Sequence, residues 1–120
     1  MTAVQINNRI VFGGKIQNDY IYQDDQCVAF EAEDKQAPDH FIVVPRKTIP
    51  RLSDATVADE RLLGHMLLVA KGLAADRGLS RAGYHTVVDE DHRTRTLVAL
   101  HVFERSLLHM LWPTSLGSRL

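Results

Sequence analysis

From Tyr20 onward, short runs rich in β-branched and aromatic residues are set apart by acidic or proline-containing breaks: Tyr20-Ile21-Tyr22, Cys27-Val28-Ala29-Phe30 and Phe41-Ile42-Val43-Val44. Such runs predict three strands, the third bracketed by Pro38 and Pro45. Then the rhythm changes. Leu62, Met66, Val69 and Leu73 recur at helical spacing, with Leu63, Leu67, Ala70 and Ala74 beside them, which predicts an amphipathic helix whose stripe is core. It should run about four to five turns. Thr56 or Asp59 can cap its start, Asp59 and Glu60 suit the positive end of its dipole, and Gly78 suits the left-handed residue that ends it. Two further strands are expected at Tyr84-His85-Thr86-Val87-Val88 and from Leu97 to Phe103, joined by the polar stretch Asp89 to Thr96. The lead from Ile10 to Ile16 is broken by Gly13-Gly14 and reads as a turn of helix or a loop. A long helix between the third and fourth of five strands, with short connections elsewhere, indicates an α+β sandwich: one helix packed across a mainly antiparallel sheet.

Composition narrows the picture. At 120 residues the chain fits a single domain, 1–120, and with 45% apolar residues it can bury a real core. Fourteen Lys and Arg against fifteen Asp and Glu give a formal charge of −1, so no chain-wide field draws polynucleotides or an acidic membrane. No nucleic acid and no membrane are expected as partners. No apolar run approaches the roughly 18 residues of a membrane span, and the start MTAVQINNRIVF lacks the charged lead and apolar run of a signal peptide. A cytoplasmic location is expected, extending to the nucleus. Cys27 is the single cysteine, so neither an internal disulfide nor a cysteine-rich zinc site can form, and Cys27 itself reads as an inert buried thiol. His65 and His85 fit no ligand spacing; no metal and no cofactor are expected.

Several stretches together resemble the histidine-triad superfamily, in its Hint branch of nucleotide-binding proteins. They are Ile21-Tyr22-Gln23-Asp24-Asp25-Gln26-Cys27-Val28-Ala29-Phe30, Gln36-Ala37-Pro38-Asp39-His40-Phe41 with Ile42 to Lys47, Asp59-Glu60-Arg61-Leu62-Leu63-Gly64-His65, and Ala74-Ala75-Asp76-Arg77-Gly78-Leu79 with Gly83-Tyr84. The likeness spans roughly residues 10–113. The family's signature strand reads His-x-His-x-His-x-x, ending some residues before Trp-Pro. Here it reads Ala99-Leu100-His101-Val102-Phe103-Glu104-Arg105, with Trp112-Pro113 following.

The resemblance implies hydrolysis of purine nucleoside 5′-phosphoramidates, with His101 as nucleophile. That chemistry needs a neutral imidazole, one nitrogen bare and the other donating to a fixed acceptor. The family's acceptor is a main-chain carbonyl at the position of Ala99, which the loss of a side chain leaves in place. Phe103 replaces a histidine that donates to the phosphate, a loss typically worth about a hundredfold to a thousandfold in turnover. Ala32 stands where the family has an aspartate for the ribose hydroxyls. Thr96 falls near a serine that contacts the leaving group, and Asp89 at an asparagine near the phosphate, where a carboxylate would repel it. Phe30 and Trp112 complete the implied substrate contacts, and His40 matches a histidine kept behind the triad strand for structure. Read alone, His101 on its apolar strand is a satisfied core histidine; the resemblance makes it a nucleophile. The implied partners are a weakly bound purine nucleotide of AMP or GMP type and a second copy of the chain in a homodimer. The alternative is an inert relative that acts by dimerisation or protein binding.

Overall fold

The computed structural model describes residues 3–6, 9–12, 15–16, 19–32, 39–49, 51–88 and 98–105. Its centre is a five-stranded sheet of β4 (Tyr22–Gln23), β5 (Cys27–Glu31), β6 (His40–Pro45), β7 (Tyr84–Val88) and β8 (Leu100–Glu104), in the order β4-β5-β6-β8-β7. Every pairing is antiparallel. One long helix, α1 (Glu60–Asp76), follows β6, and a single turn, α2 (Leu79–Ala82), leads to β7. The α+β architecture expected from the strand and helix rhythms is the one observed.

Boundaries differ where local chemistry intervenes. The first strand of the central sheet keeps only Tyr22 from the expected Tyr20–Tyr22 run, because pairing is confined to Tyr22↔Ala29 and Gln23↔Val28 before Asp24 turns the chain. On the last strand, β8 begins at Leu100 rather than Leu97 and continues to Glu104; Val98 instead donates its N–H to the carbonyl of Ile49 at 2.7 Å. The lead expected to be helix or loop is neither. Ala3–Ile6 (β1), Arg9–Phe12 (β2) and Lys15–Ile16 (β3) form a separate three-stranded antiparallel sheet. Ile6 pairs with Arg9 and Phe12 with Lys15, so two residues connect each pair of strands. Asn7-Asn8 and Gly13-Gly14 stand between these strands in the sequence and lie outside the described residues.

The helix signals hold. Thr56 precedes a 3-10 turn, Val57–Asp59, and donates its N–H to the buried carboxylate of Asp59 at 2.9 Å. Lys47 also binds that carboxylate, and these two donors hold it below its ordinary pKa. At the far end Gly78 takes φ 75°, a left-handed conformation costly for other residues. Met66, Val69, Ala70 and Ala74 are buried against Cys27, Ala29, Phe41, Val43, Leu100 and Val102 of the sheet, with Leu62, Leu63 and Leu73 packed at the margin. Leu67, expected in the stripe, is half exposed beside the exposed Leu68, so the buried stripe is narrower than the periodicity suggests. Arg77, just past α1, binds the Glu31 carboxylate at the end of β5, and its guanidinium carbon lies 4.9 Å above the Phe41 ring. The helix is thereby fastened at its two ends to the C-terminal ends of β6 and β5. Among the described residues no helix is long and apolar enough to cross a membrane.

Candidate functional site

Strand alternation sends every second residue to the face turned away from α1. There Val28, Phe30, Ala32, Ile42, Val44 and Ala99 form a second apolar cluster, joined by Tyr20. The register ranks the residues of this face in rows. One row runs Phe30, Ile42, His101, Val87 across β5, β6, β8 and β7. The next runs His40, Phe103, His85, with the N–H of Ala32 bonded to the carbonyl of His40 at 3.1 Å. β8, the fourth strand of the five, thus carries His101 between apolar neighbours on both sides.

Within these rows two imidazoles meet. Nε2 of His40 lies 3.1 Å from Nδ1 of His101, with the ring centroids 5.3 Å apart. His40 is buried and His101 half exposed. One nitrogen of such a contact must donate and the other accept. With the proton on Nδ1 of His101, its Nε2 is bare and nucleophilic. With the proton on Nε2 of His40, a neutral His101 carries its own proton on Nε2 and can only donate there. The imidazole of His40 faces Nδ1 of His101 and can accept a proton from it or supply one. His40 therefore does more than fill space behind the strand: its ring is a hydrogen-bond partner of His101 Nδ1, and the shared proton belongs to either ring.

Phe103 is buried beside this pair, its ring edge-on to His40 with centroids 5.2 Å apart and 6.5 Å from the ring of His85. A phenyl ring has no donor to offer an anion. Phe30, Ala32 and Ala99 are all buried in the apolar cluster of the same face. The structure therefore brings together His40, His101 and Phe103, with Phe30, Ala32 and Ala99 close by on one surface. Asp89, Thr96 and Trp112 lie outside the described residues. The sequence reading missed the His40–His101 contact, 61 residues apart in the chain, and the place of His85 opposite Phe103. Parity along the strands was the available signal: an antiparallel register that pairs His40 with Phe103 puts His101 diagonally beside His40 on the same face.

Histidines on two adjacent inner strands of a five-stranded antiparallel sheet, on the face opposite one crossing helix, define an α+β class of histidine-bearing sheet proteins. Residues 5–106 match the family model described as scavenger mRNA decapping enzyme C-term binding, and the chain belongs to this histidine-triad (HIT) family. It is 31% identical over 107 residues to the purine nucleoside phosphoramidase of Escherichia coli K12, covering 88% of this chain and 85% of that one. An uncharacterized HIT-like protein of Synechococcus elongatus is 38% identical over 100 residues, covering 82% and 87%. Among solved structures, a HIT family hydrolase from Legionella pneumophila superposes with a TM-score of 0.69 at 31% identity, over 75% of this chain and 83% of that one. A histidine triad protein from Clostridium difficile shares the fold at TM-score 0.67 and 24% identity, over 75% and 81%.

Proposed function

We propose that this protein is a Hint-type nucleotide-binding protein that slowly hydrolyses purine nucleoside 5′-phosphoramidates through a nucleotidyl-histidine at His101. The observation that carries the reading is the His40–His101 contact, which supplies what an imidazole nucleophile needs: an oriented ring and a partner for its second nitrogen. Nε2 of His101 forms a bond to the α-phosphorus as the phosphorus–nitrogen bond to the amine breaks, and the amine leaves with a proton taken from water. Water then cleaves the phosphorus–His101 bond and releases the nucleoside monophosphate. Phe103 supports a low rate, since no donor at that position meets the charge that develops on the phosphoryl oxygens. Ala32 supports weak affinity, since a charge-assisted hydrogen bond to ribose is worth about 1.5–3 kcal/mol.

The same Phe103 favours a second reading, an inert relative working through self-association or protein binding. A homodimer fits either case. Leu67 and Leu68 are exposed on α1 between Gly64 and Gly72, whose Cβ positions meet nothing within 4 Å. β7 is the edge strand of the sheet, open to pairing with its own copy. Incubation with adenosine 5′-phosphoramidate, followed by intact-mass measurement and AMP chromatography, separates the readings. An adduct that vanishes in His101→Ala, with turnover raised in Phe103→His, supports the hydrolase. Absence of adduct, of turnover in Phe103→His and of AMP binding by calorimetry would leave the inert relative.

A further inference from the structure

On the helix side of the sheet, away from the histidine pair, three side chains of metal-ligating chemistry converge from distant parts of the chain. Asp24 follows β4, Cys27 opens β5, and His65 lies in the second turn of α1. Their carboxylate, thiol and imidazole ligand atoms all lie within 4.8 Å of one another. We propose that Asp24, Cys27 and His65 form a binding site for one divalent transition-metal ion, with zinc the best fit to the donor set.

The chemistry selects the class of ion. One sulfur, one imidazole nitrogen and one carboxylate oxygen suit zinc and its first-row neighbours, whereas magnesium and calcium take oxygen donors. Thiolate and carboxylate together balance a charge of +2, so the loaded corner is electrically neutral where the sheet is buried. Geometry needs little change. Nε2 of His65 is 2.6 Å from Oδ2 of Asp24, and Sγ of Cys27 is 4.0 Å from the same oxygen. Ligands around tetrahedral zinc stand about 3.3–3.6 Å apart, as bond lengths of about 2.0–2.3 Å require. The first gap must therefore open, and the second close, by less than about 1 Å, while the gap from His65 to Cys27, at most 4.8 Å, must close by up to about 1.5 Å.

The carboxylate is already held for this use. Oδ1 of Asp24 accepts the N–H groups of Gln26 and Cys27 at 2.7 and 2.8 Å, which leaves Oδ2 turned to His65 and Cys27. The Tyr22 hydroxyl donates to Oδ2 at 2.8 Å, an outer contact of the kind that steadies metal-bound carboxylates. Side-chain exposures of 31% for His65 and 21% for Asp24 give an ion access and leave the fourth position to water. On binding, the S–H bond of Cys27 gives way to an S–metal bond and its proton passes to buffer. The proton of His65 moves to Nδ1 through solvent, freeing Nε2 as ligand. Burial and the Asp24 charge push the Cys27 thiol up to about 12, and the ion opposes both effects by pairing with the thiolate.

Cobalt(II) titration of the intact protein provides the test, because thiolate ligation gives an intense ligand-to-metal band in the near ultraviolet. The expected result is that band at one ion per chain, abolished in Cys27→Ser and displaced by zinc. Because Cys27 is fully buried, the half-exposed His65→Gln is the second variant. It should keep the wild-type circular dichroism and lose more zinc affinity than the roughly 10- to 100-fold that follows removal of an outer partner. His101→Ala should bind zinc as the unaltered protein does. Absence of the band at saturating cobalt, undiminished affinity in His65→Gln, or affinity lost in His101→Ala would each overturn the proposal, the last by placing the ion at the other imidazole pair.

Discussion

Where the central sheet meets α1, Ala29, Phe41, Val43, Leu100 and Val102 are buried and carry no charge; on its other face the same strands hold His40 and His101 among Phe30, Ile42 and Ala99. The first face is closed by a helix of 17 residues whose own apolar stripe meets it. What settles it is packing, and any side chain of the right volume serves. On the second face a polar contact is embedded in an apolar surface, and a half-satisfied imidazole there would cost free energy with no compensating burial. Chemistry resides where packing alone does not decide the residue.

The largest expected effect breaks the packed face. Phe41→Ala should destabilise the fold by about 3–5 kcal/mol in urea denaturation, since the ring is fully buried and lies beneath Arg77; a loss under about 1 kcal/mol would show that α1 does not depend on this face. On the other face His101→Ala should cost about 1–3 kcal/mol, because buried His40 loses a ring partner. Combining it with His40→Ala should cost less than the sum of the two single changes by about 0.5 kcal/mol or more. Strict additivity in that cycle would mean that the two rings do not interact.

At the sheet corner, burial would push the Asp24 carboxyl up, yet hydrogen bonds from His65, from the N–H groups of Cys27 and Gln26 and from Tyr22 hold it well below the usual carboxylate range. The folded value lies beneath the unfolded one. Its contribution to stability is therefore complete above about pH 4 and is lost progressively as pH falls below that. Asp24→Asn should flatten the stability–pH curve below about pH 4; identical acid slopes in the two proteins would remove Asp24 from the account. The smallest effect on stability belongs to the outer face of α1. Leu68→Glu should change monomer stability by no more than about 0.5 kcal/mol, while sedimentation at micromolar concentration should shift from twice the monomer mass to one. A mass unchanged by the substitution would place any self-association elsewhere.

Periodicity made the packed face legible because burial and spacing say the same thing there: Met66, Val69, Ala70 and Ala74 repeat with the helix, and Phe41 and Val43 with the strand. Leu67 was misassigned for the complementary reason, since an exposed apolar residue has the same pattern as a buried one. Resemblance placed His101 and His40 on the map, but their contact depends on register across two strands 61 residues apart, which no local pattern encodes. His65 was passed over because its partners, Asp24 and Cys27, sit 41 and 38 positions away, where a helix and a turn converge only after folding. At the N-terminal sheet the four-residue strands were simply too short to register as a rhythm.

The strand order carries a last consequence, for the route by which the chain reaches this structure. β8 lies between β6 and β7, yet β6, α1 and β7 all precede it in the chain. β7 pairs with no strand but β8, so β7 joins the sheet, and the second edge of β6 is paired, only when β8 takes its place. Every contact that β8 makes with β6 is remote in sequence, so its entry pays a large loop-closure entropy and belongs to the slow part of folding. His101 arrives on that strand. The ring of the candidate nucleophile therefore arrives in the same event that pairs the open edge of β6 and brings β7 into the sheet.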